Sequence, residues 1–451
     1  MIALQGHLKI ARKAFPVILA NATVPLLGLS DTAVIGQTGG ARELGAIALG
    51  ALVFSFLYWG FGFLRMATTG FVAQAYGAGD YKEVSQIGMR AGLMAVAIGA
   101  VLLMAQQGIA AIALYLLDGS AGVKDLVRQY FYVRIWGAPA TLSRFVLFGL
   151  FIGLGETRKL LTLELSLNGA NIVLNLFFVL QLGWGVRGVA AGTVIAEWLS
   201  FLLGIWMVHQ SLRQRFPQYA NRRFWRESLH KSKFVRMMQT NGNIMIRTLA
   251  LLFGFAWFAN QGAGFSDETL AANHILLQFV SLSAFFLDGY AYVVEMMVGK
   301  AIGARDVRIF RLQLKQANQL AGLTAFLLAA LVAGVGTTAI NGLTQDQAVR
   351  DIAHAFLPYA AGYILVSFYA FQLDGVFIGS ALGKEMRNAS VFSLLFFLTL
   401  CWLLAPRWAN AGLWVAFTAY VIVRGLSLAY YRPRVDALFV PEAPPAKTGR
   451  T

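Results

Sequence analysis

The chain has 451 residues, of which 58% are hydrophobic and only 13% charged, about half the charge of a soluble domain, and its mean hydropathy is +0.63. These figures exclude a water-soluble globular protein and predict an integral membrane protein. A net charge of +16 would suggest nucleic acid in a soluble chain, so the positions of the 37 Lys and Arg have to be read before their number is given a meaning.

The first apolar run, FPVILANATVPLLGLSDTAVIG at 15–36, predicts a helix of about 33 Å, enough to cross a hydrocarbon core of roughly 30 Å. Asp31 sits well inside it. An acid at that depth costs roughly 2.5–3.5 kcal/mol on insertion scales, and most such residues face a bundle interior or a water-filled path. The alternative is a packing role, with Asp31 bonded to Ser30, Thr32 or a neighbouring helix. Pro25, Gly28 and Gly36 supply points where this helix can bend.

Apolar segments then follow near 44–72, 88–116, 130–153, 160–182, 187–209, 237–262, 269–298, 317–341, 353–380, 387–405 and 410–430. With the first, they predict an all-α membrane protein of twelve transmembrane helices. If the N-terminus is inside, 26 Lys and Arg fall on the cytoplasmic side and six on the other. That asymmetry places both termini in the cytoplasm by the positive-inside rule. Topology therefore explains the charge, and no nucleic-acid partner is expected. Lys9 to Lys13 before an apolar run also fits a cleaved signal peptide, but the first segment has a structural twin, which argues against cleavage. The single cysteine, Cys401, lies in an apolar segment, so neither a disulfide framework nor a thiol metal site is expected.

The twin appears at an offset of 226 residues. VAQAYGAGD at 72–80 recurs as VGKAIGARD at 298–306, GLFIG at 149–153 as GVFIG at 375–379, Leu44 and Ala46 as Leu270 and Ala272, and Gly28 as Gly254. The expected organisation is an N-lobe at 1–210, a cytoplasmic linker at 211–235, a C-lobe at 236–430 and a disordered, proline-bearing tail at 431–451. An even number of spans gives both six-helix bundles the same orientation. In such an architecture the binding sites lie between or within the bundles, and access alternates as they rock. A static bundle left by an old duplication is the bland alternative.

The lobes differ where they are polar. Asp31 is matched by Trp257, Asp288 by Gly62, Glu295 by Thr69, Asp374 by Phe148 and Arg247 by Asn21. The shared scaffold therefore needs none of these charges, as expected of site residues. Asn168, Asn171 and Asn175 share one face of the fifth span, and Thr193 and Glu197 are four apart on the sixth. With Asp31 they can close an oxygen-rich pocket for a proton or cation, although interhelical packing explains the amides equally well. In the C-lobe, Arg247 among Asp288, Glu295 and Asp374 can form a buried pair, either structural or opened by a proton or substrate. Arg65, Arg134, Arg144 and Arg424 lie nearer span ends and are expected to reach for the membrane surface, which leaves acids dominant inside apart from Arg247. The 13% aromatic content suits a greasy cavity for flat or cationic compounds, though interfaces also collect aromatics.

No phosphate-binding GxxxxGK[ST] is present, and the His residues form no HExxH, so ATP is not the expected energy source and no metal site stands out. No nucleophile with a base appears, so an intramembrane enzyme is not expected. A duplicated rocking scaffold is superfluous for a channel.

LSDTAVIG around Asp31, LGAIALG at 44–50, VAQAYGAGD, the Asn171 to Asn175 spacing, FLDGYAYVVEMMVGKAIGARD at 286–306 and LDGVFIGSALGKEMRNA at 373–389 together resemble the multidrug and toxic compound extrusion (MATE) family, on its DinF-like branch. The resemblance covers 10–430. It implies a monomeric secondary antiporter of the inner membrane that expels amphipathic, often cationic, small molecules in exchange for protons, with sodium as second choice and no other cofactor. It also assigns Asp31, Asn171 and Thr193 to the N-lobe cation or proton site. Many relatives carry Asp where Asn175 stands, and other branches carry Glu where Arg247 stands, which argues against sodium in either lobe. Asp374 resembles a C-lobe acid of other branches that is implicated in cation binding. The alternative function is a flippase for a lipid or lipid-linked precursor, for which an arginine-lined cavity would speak.

Overall fold

The computed structural model describes residues 2–38, 40–117, 120–217 and 230–440, all helix and connecting turns with no strand among them. Backbone polar groups have no water to bond in a hydrocarbon core, so the apolar runs satisfy them internally as helices. In chain order these are α1 Ile2–Thr38, α2 Ala41–Trp59, α3 Phe63–Gly77, α4 Tyr81–Met104, α5 Gln106–Leu116, α6 Ala121–Arg134, α7 Ala138–Leu154, α8 Thr157–Asn175 and α9 Gly185–Arg215. The second half holds α10 Lys231–Ala263, α11 Asp267–Gly303, α12 Val307–Leu343, α13 Gln347–Gly379, α14 Gly383–Tyr430 and α15 Arg432–Ala437.

Among the described residues ten helices are long and apolar enough to cross a membrane, and twelve crossings follow when α1 is added and α14 is counted as two. The pairs α2 with α3, α4 with α5 and α6 with α7 are each one crossing broken in its middle, and α8 continues as a π-helical stretch, Leu176–Gln181. The 48-residue α14 is two crossings, because Ala409 (φ 46°, ψ −129°) reverses the chain. Phe397 consequently stacks on Tyr420 at 5.2 Å, and the space beside Gly412 is filled by the Leu404 backbone.

The repeated residues make the same junctions in both lobes. Gly149 and Gly153 of α7 leave no room for a side chain against Arg65, Thr68 and Val72 of α3. Their twins Gly375 and Gly379 of α13 do the same against Ala291, Glu295 and Val298 of α11. Close approach over small residues is how helices pack where burial from water cannot drive them. Asp80 caps α4 by accepting from the Glu83 N–H at 3.0 Å, and its twin Asp306 caps α12 by accepting from the Ile309 N–H at 2.9 Å. The left-handed residues match as well: Gly79, Gly155 and Gly183 stand 226 positions before Arg305, Ala381 and Ala409, which also have positive φ.

The lobes meet near the termini. Gln74 of α3 donates to the Gly379 carbonyl at 2.8 Å, Lys300 to the Leu154 carbonyl at 3.0 Å, and His7 bonds Gln319 at 2.9 Å. Gly77 and Gly303 let α3 and α11 touch backbone to backbone. Among the described residues, every hydrogen bond between lobes lies in this terminal half or at mid-depth, where Asn21 donates to the Phe285 carbonyl at 3.4 Å. The interface is thus sealed on the side that carries both termini.

The tail corrects one expectation. Residues 432–437 are helical rather than disordered, with Val435 buried, Arg434 paired to Glu385 at 2.5 Å and Phe439 against Phe310 at 5.0 Å. These apolar and ionic anchors outweigh the proline content. Positions 441–451 and most of the expected linker, 218–229, lie outside the described residues.

Candidate functional site

Asp31 lies in the half of α1 that faces the N-lobe and is 4% exposed. One carboxylate oxygen accepts from Asn175 Nδ2 at 2.6 Å, and the same nitrogen is 3.2 Å from Asn171 Oδ1. Asn171 Nδ2 donates to Thr193 Oγ1 at 2.9 Å, and Ser30 Oγ donates to Asn171 Oδ1 at 3.3 Å. Asn168 donates to the Thr23 carbonyl at 3.3 Å, pinning α1 to α8. Gly192 makes the cluster possible, since a Cβ there would stand 2.1 Å from Asn175 Oδ1. That oxygen is buried and has no hydrogen-bond partner among the described residues. Acid, amides and hydroxyl thus converge from α1, α8 and α9 as the sequence placed them.

Glu197 is close by but engaged elsewhere: Arg134 of α6 holds both its oxygens at 2.6 Å. Gly137 leaves space for the pair, because a Cβ there would meet Glu197 Oε2 at 2.1 Å. Glu197 therefore brings a neutralised pair to the site, whereas Asp31 has no ion-pair partner among the described residues.

A second cluster lies between the lobes and within the C-lobe. Arg65 of α3 reaches across to α11, with Nη1 at 3.2 and 2.9 Å from the Glu295 oxygens and its guanidinium 3.9 Å from the Tyr292 ring centre. Arg247 of α10 donates to Asp374 of α13, and Arg424 of α14 stands 3.7 Å from the same oxygen. Asp288 is half-buried and makes no hydrogen bond or ion pair among the described residues. In the N-lobe, Arg144 pairs with Glu164 at 3.0 Å.

Two expectations are therefore corrected. Arg65, Arg134, Arg144 and Arg424 do not reach for the surface; each is 6–7% exposed and faces an acid on another helix. Nor do acids dominate the interior, since these four and Arg247 stand against Asp31, Glu164, Glu197, Asp288, Glu295 and Asp374. Stem length misleads here: an arginine near a span end buries its head when a carboxylate within reach lowers the cost for both. The missed signal was that Glu164, like the other embedded acids, has no acidic twin in the opposite lobe, Ser390 standing at its matching position.

The duplicated scaffold offers a contrast. At the positions matching Asp31 and Asn175 the C-lobe has Trp257 and Cys401, beside a packed aromatic core of Phe397, Phe417 and Tyr420. The N-lobe alone holds the acid and amides. The amide nitrogen of Asn175 faces the Asp31 carboxylate.

Comparison with known proteins agrees with the fold. The MatE family model matches residues 16–177 and 244–403. The chain is 36% identical to the DNA damage-inducible protein F of Escherichia coli K12 over 92% of this chain and 90% of that protein. It is 26% identical to a probable multidrug resistance protein NorM of Synechococcus over 91% and 90% of the two chains. Among solved structures, a MOP superfamily transporter from Pyrococcus furiosus, described as having a binding pocket of reverse polarity, superposes with a TM-score of 0.85 at 16% identity over 97% of each chain. A multidrug resistance MATE transporter in an outward-facing conformation superposes with a TM-score of 0.83 at 16% identity over 96% of each.

Proposed function

The chain belongs to the multidrug and toxic compound extrusion (MATE) family of membrane transporters, and we propose that within it the protein is a proton-coupled antiporter that exports amphipathic, mostly cationic, small molecules. The observation that carries this reading is Asp31: an acid buried beside an orphaned amide oxygen, with no ion-pair partner among the described residues. Such a group favours a positive ion from outside the chain, either a proton or a cationic substrate brought beside it.

Helix α1 gives the proton a mechanical consequence. Its first half packs on the C-lobe, where Gly289 of α11 sits so close to Ile18 that a Cβ would stand 2.3 Å away. Its second half is tied to the N-lobe through Asp31 and Thr23. Protonation at Asp31 removes the charge that orients Asn175, frees the second half to repack and lets a cationic substrate leave. The proton enters from the side opposite the termini, which this reading places outside the cell, with both termini cytoplasmic in an inner membrane; the positive-inside asymmetry supports that orientation.

One observation favours a second reading, an exporter or flippase of anionic amphiphiles. Arg247 and Arg424 both converge on Asp374, so that single carboxylate faces two guanidinium groups. Proteoliposomes with a pH gradient or a sodium gradient, imposed separately, distinguish these readings against a panel of organic cations and bile-salt-like anions. Cation movement driven by pH alone supports the proposal. Movement that needs sodium, or of anions only, overturns it.

A further inference from the structure

A cavity of about 470 Å³ opens on the terminal side of the C-lobe, between α12 and α13 and beside the docked tail helix α15. Arg311, Lys315 and Arg432 line it, and none of the three has an acidic partner among the described residues. Phe368, Tyr369 and Asn318 line it as well. Asn318 Oδ1 is buried without a hydrogen-bond partner among the described residues, and Arg432 stands over the Phe310 ring at 6.0 Å. We propose that this cavity is a binding site for one anionic phospholipid, its phosphate held by Arg311, Lys315 and Arg432 and one acyl chain laid against Phe368 and Tyr369.

Depth commits the site to a lipid rather than a soluble anion. Arg311 is in the second turn of α12 and Arg432 opens α15, both at the level where the spans emerge. Phe368 and Tyr369 lie ten or eleven residues before the end of α13, whereas Arg311 and Lys315 lie four and eight residues after the start of α12, so the aromatic wall is about 3–10 Å deeper in the bilayer. The lining thus changes from basic to aromatic over the distance at which a phospholipid changes from phosphate to hydrocarbon. Basic pockets among transmembrane helices hold anionic head groups by this combination of charge and depth. A free phosphate would use the mouth and leave the aromatic wall without function. The occupied site would also clamp the tail helix, since Arg432 belongs to it and Arg434 is paired to Glu385 of α14.

The test uses the full chain in detergent and native mass spectrometry, with phosphatidylglycerol and phosphatidylcholine offered together and inorganic phosphate as a separate competitor. About tenfold preferential retention of phosphatidylglycerol is expected, lost in the triple variant Arg311→Gln, Lys315→Gln, Arg432→Gln. It should be kept in the charge-matched control Arg158→Gln, Lys231→Gln, Lys384→Gln. Equal retention of both lipids, equal loss in both triples, or displacement of the lipid by phosphate overturns the proposal. Independently of any variant, phosphatidylglycerol with a photoreactive acyl chain should crosslink to the peptide containing Phe368 and Tyr369 in the wild-type protein. Crosslinks spread evenly over the lipid-facing surface would also overturn it.

Discussion

At the scale of single residues, the embedded charges separate by what each one faces. Glu197 is held at both oxygens by Arg134, and removing one partner of a buried pair costs about 3–5 kcal/mol. Arg134→Ala should therefore lower the melting temperature and the yield of folded protein sharply. Asp31→Asn removes a charge that makes no ion pair among the described residues, so the variant should melt no lower than wild type, a comparison that thermal unfolding in detergent makes directly. Asn175→Asp adds a second acid 2.6 Å from where the first accepts its hydrogen bond. Two acids there suit a metal cation, so sodium, but not potassium, should raise the melting temperature of this variant and leave wild type unchanged. Asp31 and its amides were legible in the sequence because depth and helical spacing are properties of one chain segment. The arginine pairs were not, since each joins two helices whose adjacency only the fold decides: Arg65 with Glu295 is separated by 230 residues.

Helices and their junctions were the most legible level. A membrane span is announced by length and hydropathy, and the 226-residue offset marks where glycine lets α3 meet α7 and α11 meet α13. What hydropathy does not show is where a span breaks, and it gave no hint that 44–72 divides at Gly60 to Gly62 or that a π-helical stretch follows Asn175. The tail helix was hidden for a related reason, its anchors Val435 and Phe439 being too few to register as an apolar run. The repeat also yields a stability prediction. Ala409 holds a backbone conformation that its twin Gly183 adopts freely, at a cost of about 1–3 kcal/mol for a non-glycine residue. Ala409→Gly should raise the stability of the last helical hairpin by about 1 kcal/mol after the extra freedom of glycine in the unfolded chain is subtracted. A lower melting temperature for this variant would show that the turn is unstrained.

For the whole molecule, the terminal-side seal and the buried Arg65–Glu295 ion pair that crosses it define one state of a two-lobed machine. Arg65 and Glu295 belong to different lobes and sit at the deep end of the contacts that close this side, so any motion that opens it must part them. Glu295→Gln weakens the latch. In a Cys401→Ala background, a reporter cysteine at Gln74 should be slow to alkylate in the wild-type interface and several-fold faster with Glu295→Gln. Equal rates would show that the pair does not hold the lobes together. The exchange of one proton for one monovalent cation moves no net charge, so a membrane potential, worth about 2.3 kcal/mol per charge per 100 mV, should leave the transport of such a cation unaltered while the pH gradient drives it. Neutral substrates should respond to both.

The central claim is that the Asp31 carboxylate carries a proton or faces a cationic substrate, but not both at once. Proton release on addition of a monovalent organic cation to the purified protein in weakly buffered detergent measures this directly. Wild type is expected to release up to one proton per molecule of cation bound, and Asp31→Asn none while still binding the cation more weakly. Release of the same number of protons by Asp31→Asn would contradict the account.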